Sequence, residues 1–355
     1  MSEIKKHSAN RAKKERYFSF TFYDFPDTTL ASIIMSKQLP QRTTFYSGYT
    51  EINPPLSATV LTIGNFDGLH IGHRQILQAV IDDAKKLNCA TAVYTFRPHP
   101  HMALRSDLKV DLINSYNEKL QMLEDLGIDV VIEQPFNRDF STLSPEAFFN
   151  EVVIKKLNTR ALHVGYDFGF GKNRQGNTDF LIQQCNRSAI SLIQHPPYRV
   201  QNADQSLICS STEIRRNLLT GSLQTANLLL GRRFFYEGNV VKGNQRGRTI
   251  GFPTANIRDI EKINIRFGVY ASFCIIDGVP HKSITNVGRA PTFNSDENPF
   301  LIETHIFDFN KDIYGARVRV EFVDFIRDEK KFPSVESLVG QIHQDVLQAK
   351  SRLGL

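Results

Sequence analysis

Apolar positions along this chain fall into two rhythms, and the change between them is abrupt. Ala58 to Ile63 is a short β-rich run that ends at Gly64. After a compact turn, Ile76, Leu77, Val80, Ile81, Ala84 and Leu87 recur at helical spacing, so the pattern predicts strand, turn and helix. A strand over Thr91 to Phe96, a helix over Tyr116 to Leu126 and, past Gly127, a strand at Asp129 to Ile132 repeat the unit. Helical spacing over Pro145 to Leu157, a strand at Ala161 to Val164 and a helix at Thr178 to Cys185 continue it. Such alternation is that of a parallel, doubly wound sheet.

The texture changes near Leu230-Gly231. Asn239 to Val241, Ala271 to Ile276 before the Asp277-Gly278 turn, Leu301 to Phe307 and Val318 to Phe325 read as strands separated by Gly, Asn and Asp turns. Only Val335 to Leu353 is helical in pattern. The expected fold class is α/β plus β: a doubly wound sheet, then a β-barrel or sandwich closed by a C-terminal helix. The divisions expected are a basic, flexible extension over 1–48 and domains over 49–228 and 229–355.

Composition narrows the reading. Hydrophobic residues at 41% and charged residues at 23% are ordinary globular usage, which excludes wholesale disorder, collagen and coiled coil. No apolar run approaches the roughly 20 residues that a membrane span needs. The four cysteines, Cys89, Cys185, Cys209 and Cys274, lie far apart with no CxxC pair, as in a reduced cytosolic protein. The formal charge is +6, but six Lys/Arg crowd Met1 to Arg16, so the remainder is nearly neutral. A short basic arm is a solvated tail more often than a nucleic-acid grip, and no apolar segment follows it as a secretory signal requires. Met35 is an alternative start.

Candidate chemistry begins between the first strand and the first helix, with Gly64-Asn65-Phe66-Asp67-Gly68-Leu69-His70-Ile71-Gly72-His73. Ligands of a doubly wound sheet bind at strand carboxyl ends, beside helix N-termini whose free N–H groups favour phosphate. His70 and His73, three apart at a helix start, fall on one side and can donate to one oxyanion. Two other readings stay open: a plain surface pair, or a zinc site completed by His99 and His101. Farther on, the run Val164 to Gly171 places Asp167 among glycines and aromatics in a loop suited to stacking a planar ring. Ser210-Ser211-Thr212-Glu213-Ile214-Arg215 offers hydroxyls and a guanidinium at a helix start, which fits triphosphate binding or an ordinary N-cap.

The β-rich half opens with Gly243 to Asn256, a run in which Gly247, Arg248 and Pro253-Thr254-Ala255-Asn256 stand out. Glycines and arginines make a flexible cationic loop; Thr254 and Asn256 supply neutral oxygens two apart, which suit Mg²⁺ shared with phosphates. Glu303 interrupts an apolar strand, as either a solvated residue or a base placed in a site.

These motifs, GNFDGLHIGH, VGYDFGFG and SSTEIR, then PTAN, NVGRAPTF and ETH, resemble in their order the bacterial bifunctional riboflavin kinase/FMN adenylyltransferase (FAD synthetase) family. The resemblance covers roughly Thr59 to Leu353. It implies a Rossmann-like nucleotidyltransferase domain followed by a small antiparallel β-barrel riboflavin kinase domain with a C-terminal helix. It also implies a cytoplasmic enzyme that uses ATP and Mg²⁺ to convert riboflavin to FMN and FMN to FAD, with neither nucleic acid nor membrane as partner. His70, His73 and Arg215 would then serve the ATP phosphates and departing pyrophosphate. Gly64, Asn65, Phe66, Asp67, Gly68, Asp167, Ser211 and Thr212 would line the nucleotide and flavin pocket. In the second domain Glu303 would take the ribityl hydroxyl proton, Thr254 and Asn256 would hold Mg²⁺, Gly243, Gly247 and Arg248 would meet the nucleotide, and Arg327 with Phe332 would line the flavin. Two departures stand out: Asn177 where many members have Asp, and Arg289-Ala290 where an arginine usually stands one position later.

Overall fold

The computed structural model describes residues 42–104, 110–202, 205–243, 245–260, 264–289 and 300–355, and all that follows concerns these. Six strands, β1 (Thr44–Tyr46), β2 (Thr59–Ile63), β3 (Ala90–Arg97), β4 (Val130–Pro135), β5 (Thr159–Gly165) and β6 (Ser191–His195), make one sheet in the order β1-β4-β3-β2-β5-β6. Every pairing in it is parallel. A parallel sheet covered on both faces needs unbroken apolar strands, and β2, Thr-Val-Leu-Thr-Ile, is buried at each position. Helices α1 (Ile71–Leu87), α2 (Tyr116–Asp125) and α3 (Thr178–Arg187) supply the covers. The single helix expected over 145–157 is instead one α turn, Pro145–Phe148, running into a π-helix, Phe149–Lys156.

The sheet starts before position 49. Thr44–Tyr46 pairs with Val130–Ile132 inside the stretch expected to be a flexible extension, a correction that the chain's pattern could not supply. Three residues, Thr-Phe-Tyr with the first two exposed, are too short a run to show a periodicity; the edge of β4 makes them a strand. Met1 to Arg16 and Met35 lie outside the described residues.

From β2 the chain steps outward to β3 and β4, then returns to β5 on the other side of β2. Connections that part in opposite directions from neighbouring strands open a crevice at their carboxyl ends. The loops after β2 and β5, which carry the first two glycine-rich motifs, flank this crevice.

A small antiparallel pair, β7 (Arg199–Asn202) and β8 (Gln205–Ile208), leads to α4 (Ser211–Thr220) and α5 (Leu223–Leu230). The strands β9 (Phe234–Val241), β10 (Ala255–Arg258), β11 (Gly268–Ile276), β12 (Val279–Arg289), β13 (Phe300–Ile306) and β14 (Arg317–Arg327) then close as β10-β13-β12-β11-β14-β9, with α6 (Val335–Arg352) outside. Tyr270, Cys274, Ile302, Val318, Val320 and Phe322 fill the barrel, together with Ile214 and Leu218 from α4 and Leu223 and Leu229 from α5. The expected division at 228/229 thus falls inside a helix that shares the barrel's core. Ala349 and Leu353 of α6 pack on Val269, Ala271 and Ile284.

Phe235 binds the two units together. It points away from the barrel core and is buried with Phe66, Leu69, Leu77 and Val131 of the first unit. The guanidinium carbons of Arg232 and Arg319 lie 5.1 Å and 4.5 Å from its ring centroid. Truncating a fully packed phenylalanine removes its transfer free energy and leaves a cavity. Phe235→Ala is therefore expected to cost about 3–5 kcal/mol in urea unfolding; a loss below about 1 kcal/mol would mean that this side chain does not hold the junction.

Candidate functional site

The loop from Gly64 to His70 leaves β2 and ends at the N-cap of α1. Phe66 (φ 50°), Gly68 (φ 86°) and Leu69 (φ 37°) all take left-handed backbone angles. Non-glycine residues in that region carry strain that their surroundings must hold. Gly68 has no room for a side chain, since a Cβ there would lie 2.9 Å from Ile113 Cδ1.

The carbonyls are what the surroundings grip. Thr95 Oγ1 donates to Asn65 O (3.3 Å) and Leu69 N to Phe66 O (3.3 Å). Ser211 Oγ donates to Asp67 O (2.8 Å), Arg232 Nη2 to Gly68 O (3.1 Å) and Arg74 Nε to Leu69 O (3.2 Å). Five consecutive carbonyl oxygens are thereby engaged by protein donors, which weakens their repulsion of an anion in the crevice.

At the loop's end the two histidines come together. Their rings stack at 3.6 Å between centroids and 16° between planes, with the edge of Phe66 against His73. His70 Nδ1 accepts from His73 N (3.2 Å), so the neutral ring carries its proton on Nε2. Burial pulls His70 down to about 3 and holds His73 well below the usual histidine range. Both rings are neutral at pH 7 and act as dipolar donors rather than cations. His73 Nδ1 is buried and meets no hydrogen-bond partner among the described residues.

Arg215, expected at a departing pyrophosphate, and Asp67, expected in the nucleotide pocket, are partners of each other. In the structure Arg215 Nη2 lies 2.6 Å from Asp67 Oδ2, and Arg215 Nε donates to Asp111 O (3.0 Å). Asp67 Oδ1 accepts from the backbone of Ile113 (2.9 Å) and Asn114 (3.4 Å). The Asp67 carboxyl is thus engaged by backbone donors at one oxygen and by the nearest guanidinium at the other. Ser210 is an ordinary N-cap, accepting from Glu213 N (3.2 Å), while Ser211 turns to the loop and Thr212 is exposed.

Across the crevice, Tyr166 and Asp167 are exposed in the loop after β5, where Arg174 Nη2 donates to Asp167 O (2.8 Å). Phe168 and Phe170 stack behind them at 5.5 Å. Asn177 caps α3, accepting from Phe180 N (3.0 Å); Asn and Asp cap about equally well, which accounts for that departure. His99 Nδ1 accepts from His101 N (3.3 Å), and among the described residues no group of three or more His, Cys, Asp or Glu is placed to hold a metal ion.

A second constellation lies on the barrel's outer face. Asn256 pairs in register with Glu303, and Glu303 with Asn286. Ala255, Ile257, Ile302 and Thr304 point inward, so alternation turns Asn256 and Glu303 outward. Burial raises the Glu303 carboxyl and Arg258 draws it partly back. A side chain at 243 would collide with the Asn256 amide, and Gly247 packs against Phe252 O and Thr254. His305 Nδ1 lies 2.8 Å from Pro253 O, a contact that places the ring proton on Nδ1 and steadies the segment bearing Thr254. Arg248 is exposed. The fork of Arg327 grips Asp345 with Nε (2.9 Å) and Nη2 (2.7 Å), fastening β14 to α6, and Phe332 lies 5.7 Å from it. Ala290 to Phe293 lie outside the described residues.

Several residues of these sites escaped the reading of the chain. Lys119 Nζ donates to Thr95 Oγ1 (3.0 Å) beneath the first loop, and burial lowers it to about 8. Its signal was available: positions 119, 122 and 123 of α2 share one buried stripe, in which a lysine is out of place. Arg232 and Glu329 carried none. Burial raises Glu329, which accepts from Asn286 and packs against Gly288.

Comparison with known proteins places these sites in context. A family model described as FAD synthetase matches residues 53–212, and one described as riboflavin kinase matches 230–353. The bifunctional riboflavin kinase/FMN adenylyltransferase of Haemophilus influenzae is 37% identical over 86% of this chain and 97% of its own. That of Bacillus subtilis is 34% identical over 82% and 91%, and that of Escherichia coli 34% over 85% and 95%. A crystal structure described as a macrolide-efflux protein from Streptococcus pneumoniae superposes with a TM-score of 0.75 at 32% identity, covering 87% of this chain and 99% of that one. No described helix of the present chain is long and apolar enough to cross a membrane.

The buried imidazoles give the first site a pH signature. His70 has a folded value of about 3 against 6.5 unfolded, so the unfolded chain binds more protons throughout that window. Stability therefore falls as pH drops below 6.5, by about 2 kcal/mol between pH 7 and 5 from this residue. His70→Asn retains a capping oxygen and cannot titrate, so urea unfolding at the two pH values should show that much less acid sensitivity. Equal sensitivity in the variant would refute the buried neutral state.

Proposed function

Because the chain belongs to the bifunctional riboflavin kinase/FMN adenylyltransferase family, we propose that its two constellations divide the two reactions between them. The barrel phosphorylates riboflavin with ATP to give FMN. The parallel-sheet unit then joins FMN to the adenylyl group of a second ATP, giving FAD and pyrophosphate.

In the first unit the FMN phosphate oxygen attacks the α-phosphorus as the α–β bridging bond breaks. No covalent intermediate is needed; negative charge builds on the phosphate oxygens, and stationary donors aimed at it lower the barrier. His70, through Nε2–H, and His73 are those donors. Gly64 to Gly68 bring backbone close to the phosphates at the start of α1, whose N-terminal N–H groups add their field. Asp67 and Arg215 hold that loop against α4, and Ser211 fixes it from the same helix. Thr212, at the exposed helix start, reaches the triphosphate. Asp167, beside exposed Tyr166, lines the nucleotide and flavin pocket.

In the second unit Glu303 orients the ribityl hydroxyl and takes its proton late, because phosphoryl transfer is commonly loose and the base positions more than it deprotonates. The attacked atom is the γ-phosphorus, and ADP departs. Thr254 and Asn256 fit Mg²⁺: both supply neutral oxygen, and among the described residues no group of three or more His, Cys, Asp or Glu is placed to compete with phosphate ligands. When bound, the ion neutralises ATP phosphate charge. Gly243, Gly247 and Arg248 form the nucleotide loop, and Arg327 supports the flavin side through its bond to α6.

The observation that carries this reading is the neutral, stacked histidine pair at a helix start, on a loop whose carbonyls are all engaged, in a chain whose barrel separately sets a raised carboxyl beside Asn256. Purified protein given riboflavin, ATP and Mg²⁺, with flavins resolved by chromatography, tests it. His73→Ala should lower FAD formation by roughly 10²–10³ while FMN accumulates, and Glu303→Gln should lower FMN formation by roughly 10²–10⁴ while added FMN is still converted. Loss of both activities from either folded variant would defeat the two-site division. In wild type the acid limb of FMN formation should sit above the ordinary carboxylate range, because the base must be ionised and burial raises it.

A further inference from the structure

Four of the five donors that grip the first loop come from the parallel-sheet unit, from α4 or from the loop itself. The fifth, Arg232, does not. It follows the left-handed cap of α5 and stands two residues before β9, the first strand in the barrel's sequence. Nη2 donates to Gly68 O (3.1 Å) and to Asn114 Oδ1 (2.9 Å), and Nη1 to Arg233 O (3.1 Å). Nε is buried without a partner among the described residues.

Burial lowers Arg232 to about 9, and no carboxylate among the described residues forms an ion pair with it. A buried guanidinium that meets carbonyl and amide oxygens and the Phe235 ring, with no carboxylate to pair it, is costly to keep, so its value must lie in what it holds. What it holds is the peptide at the most constrained point of the loop. Gly68 has φ 86°, Leu69 has φ 37°, and His70 follows at once. Asn114 belongs to the segment whose backbone N–H groups bind Asp67. Arg232 therefore ties together the loop before the histidines and the segment that fixes Asp67, from the barrel side of the junction.

We propose that Arg232 is a positioning residue for FMN adenylylation: from the opening of the kinase barrel it sets the Gly68–Leu69 peptide and so the placement of His70 and His73. It touches no reacting atom. Phe235, three residues on and plugged into the core beneath the same loop, keeps the arginine in place. The adenylylating unit thus draws part of its geometry from the domain that makes its substrate.

The inference rests on the nucleotide role given to the 64–73 loop, and the test separates the two. Full-length Arg232→Met keeps the side chain's length and loses its donors; Arg232→Lys keeps one donor. Both are assayed for riboflavin phosphorylation and for conversion of added FMN to FAD, with kcat and KM for ATP measured separately and melting followed in parallel. Arg232→Met should lower the kcat of FAD formation by roughly ten- to a hundredfold, as a displacement of about 1 Å does. The KM for ATP should move less than kcat, Arg232→Lys should fall between, and FMN formation and melting should stay close to wild type. Unchanged kcat for FAD, or both activities and the melting temperature falling together, would overturn the proposal, the latter by making Arg232 a structural staple only. His73→Ala measured alongside locates any failure: if it spares FAD formation, the loop's nucleotide role is what fails.

Discussion

A short strained loop depends on the hydrogen bonds made by its carbonyls, and the first site depends on that loop. Left-handed angles at Phe66, Gly68 and Leu69 turn the chain sharply between β2 and α1. Such a turn has no ladder of its own to hold it, and backbone groups left unpaired in a buried place cost about as much as lost hydrogen bonds. The protein solves this from outside, with Thr95 on β3, Ser211 on α4, Arg74 on α1 and Arg232 at the barrel's threshold. Donors from four separate elements must converge within hydrogen-bonding distance, so the loop's shape reports the folding of nearly the whole chain.

The barrel meets a different constraint, since a closed sheet has one face committed to its core. Ser272, Ser283, Thr285 and Thr304 spend interior positions on a mutually bonded chain of hydroxyls with contacts of 2.7–2.9 Å, which gives each of them a partner. Thr304 is part of that chain and its neighbour Glu303 is part of the site. A shift of β13 by one residue would exchange them, burying a carboxylate in the core and exposing a hydroxyl. The interior hydroxyl ladder and the outward carboxyl therefore fix the same register from opposite faces.

Much of this was legible in the chain because the two domains obey different periodicities. Continuous apolar strands joined to amphipathic helices mark the parallel sheet, and the glycine-rich loop after β2 falls where the strand order reverses. Residues whose role depends on distant partners were not legible. Thr44–Tyr46 becomes a strand only because β4 offers an edge, and Arg232 is one arginine in an Arg-Arg pair until the fold brings Gly68 to it. Arg215 was read as free for a ligand because nothing near it in sequence shows that Asp67 waits across the crevice. Lys119 is the instructive middle case: a lysine on the apolar stripe of α2 is visible as an anomaly, while its partner Thr95 is not.

Electrostatics give a reason why the two proposed sites would use different groups for related chemistry. In the first, desolvation outweighs every other influence on His70 and His73, so the loop carries no imidazolium that would have to be buried unpaired. In the adenylylation proposed above, an entering triphosphate would meet both rings as neutral donors, its charge favouring protonation against the burial that opposes it. On the barrel face Glu303 is raised by the same desolvation, and an anion beside it would raise it further, leaving less of it as the free carboxylate that a base must be. A carboxylate base beside ATP, as proposed for Glu303, would therefore benefit from a cation between them, whereas a neutral histidine pair would not. Asn256, in register with Glu303, and Thr254, two residues before it, would offer such a cation neutral oxygens.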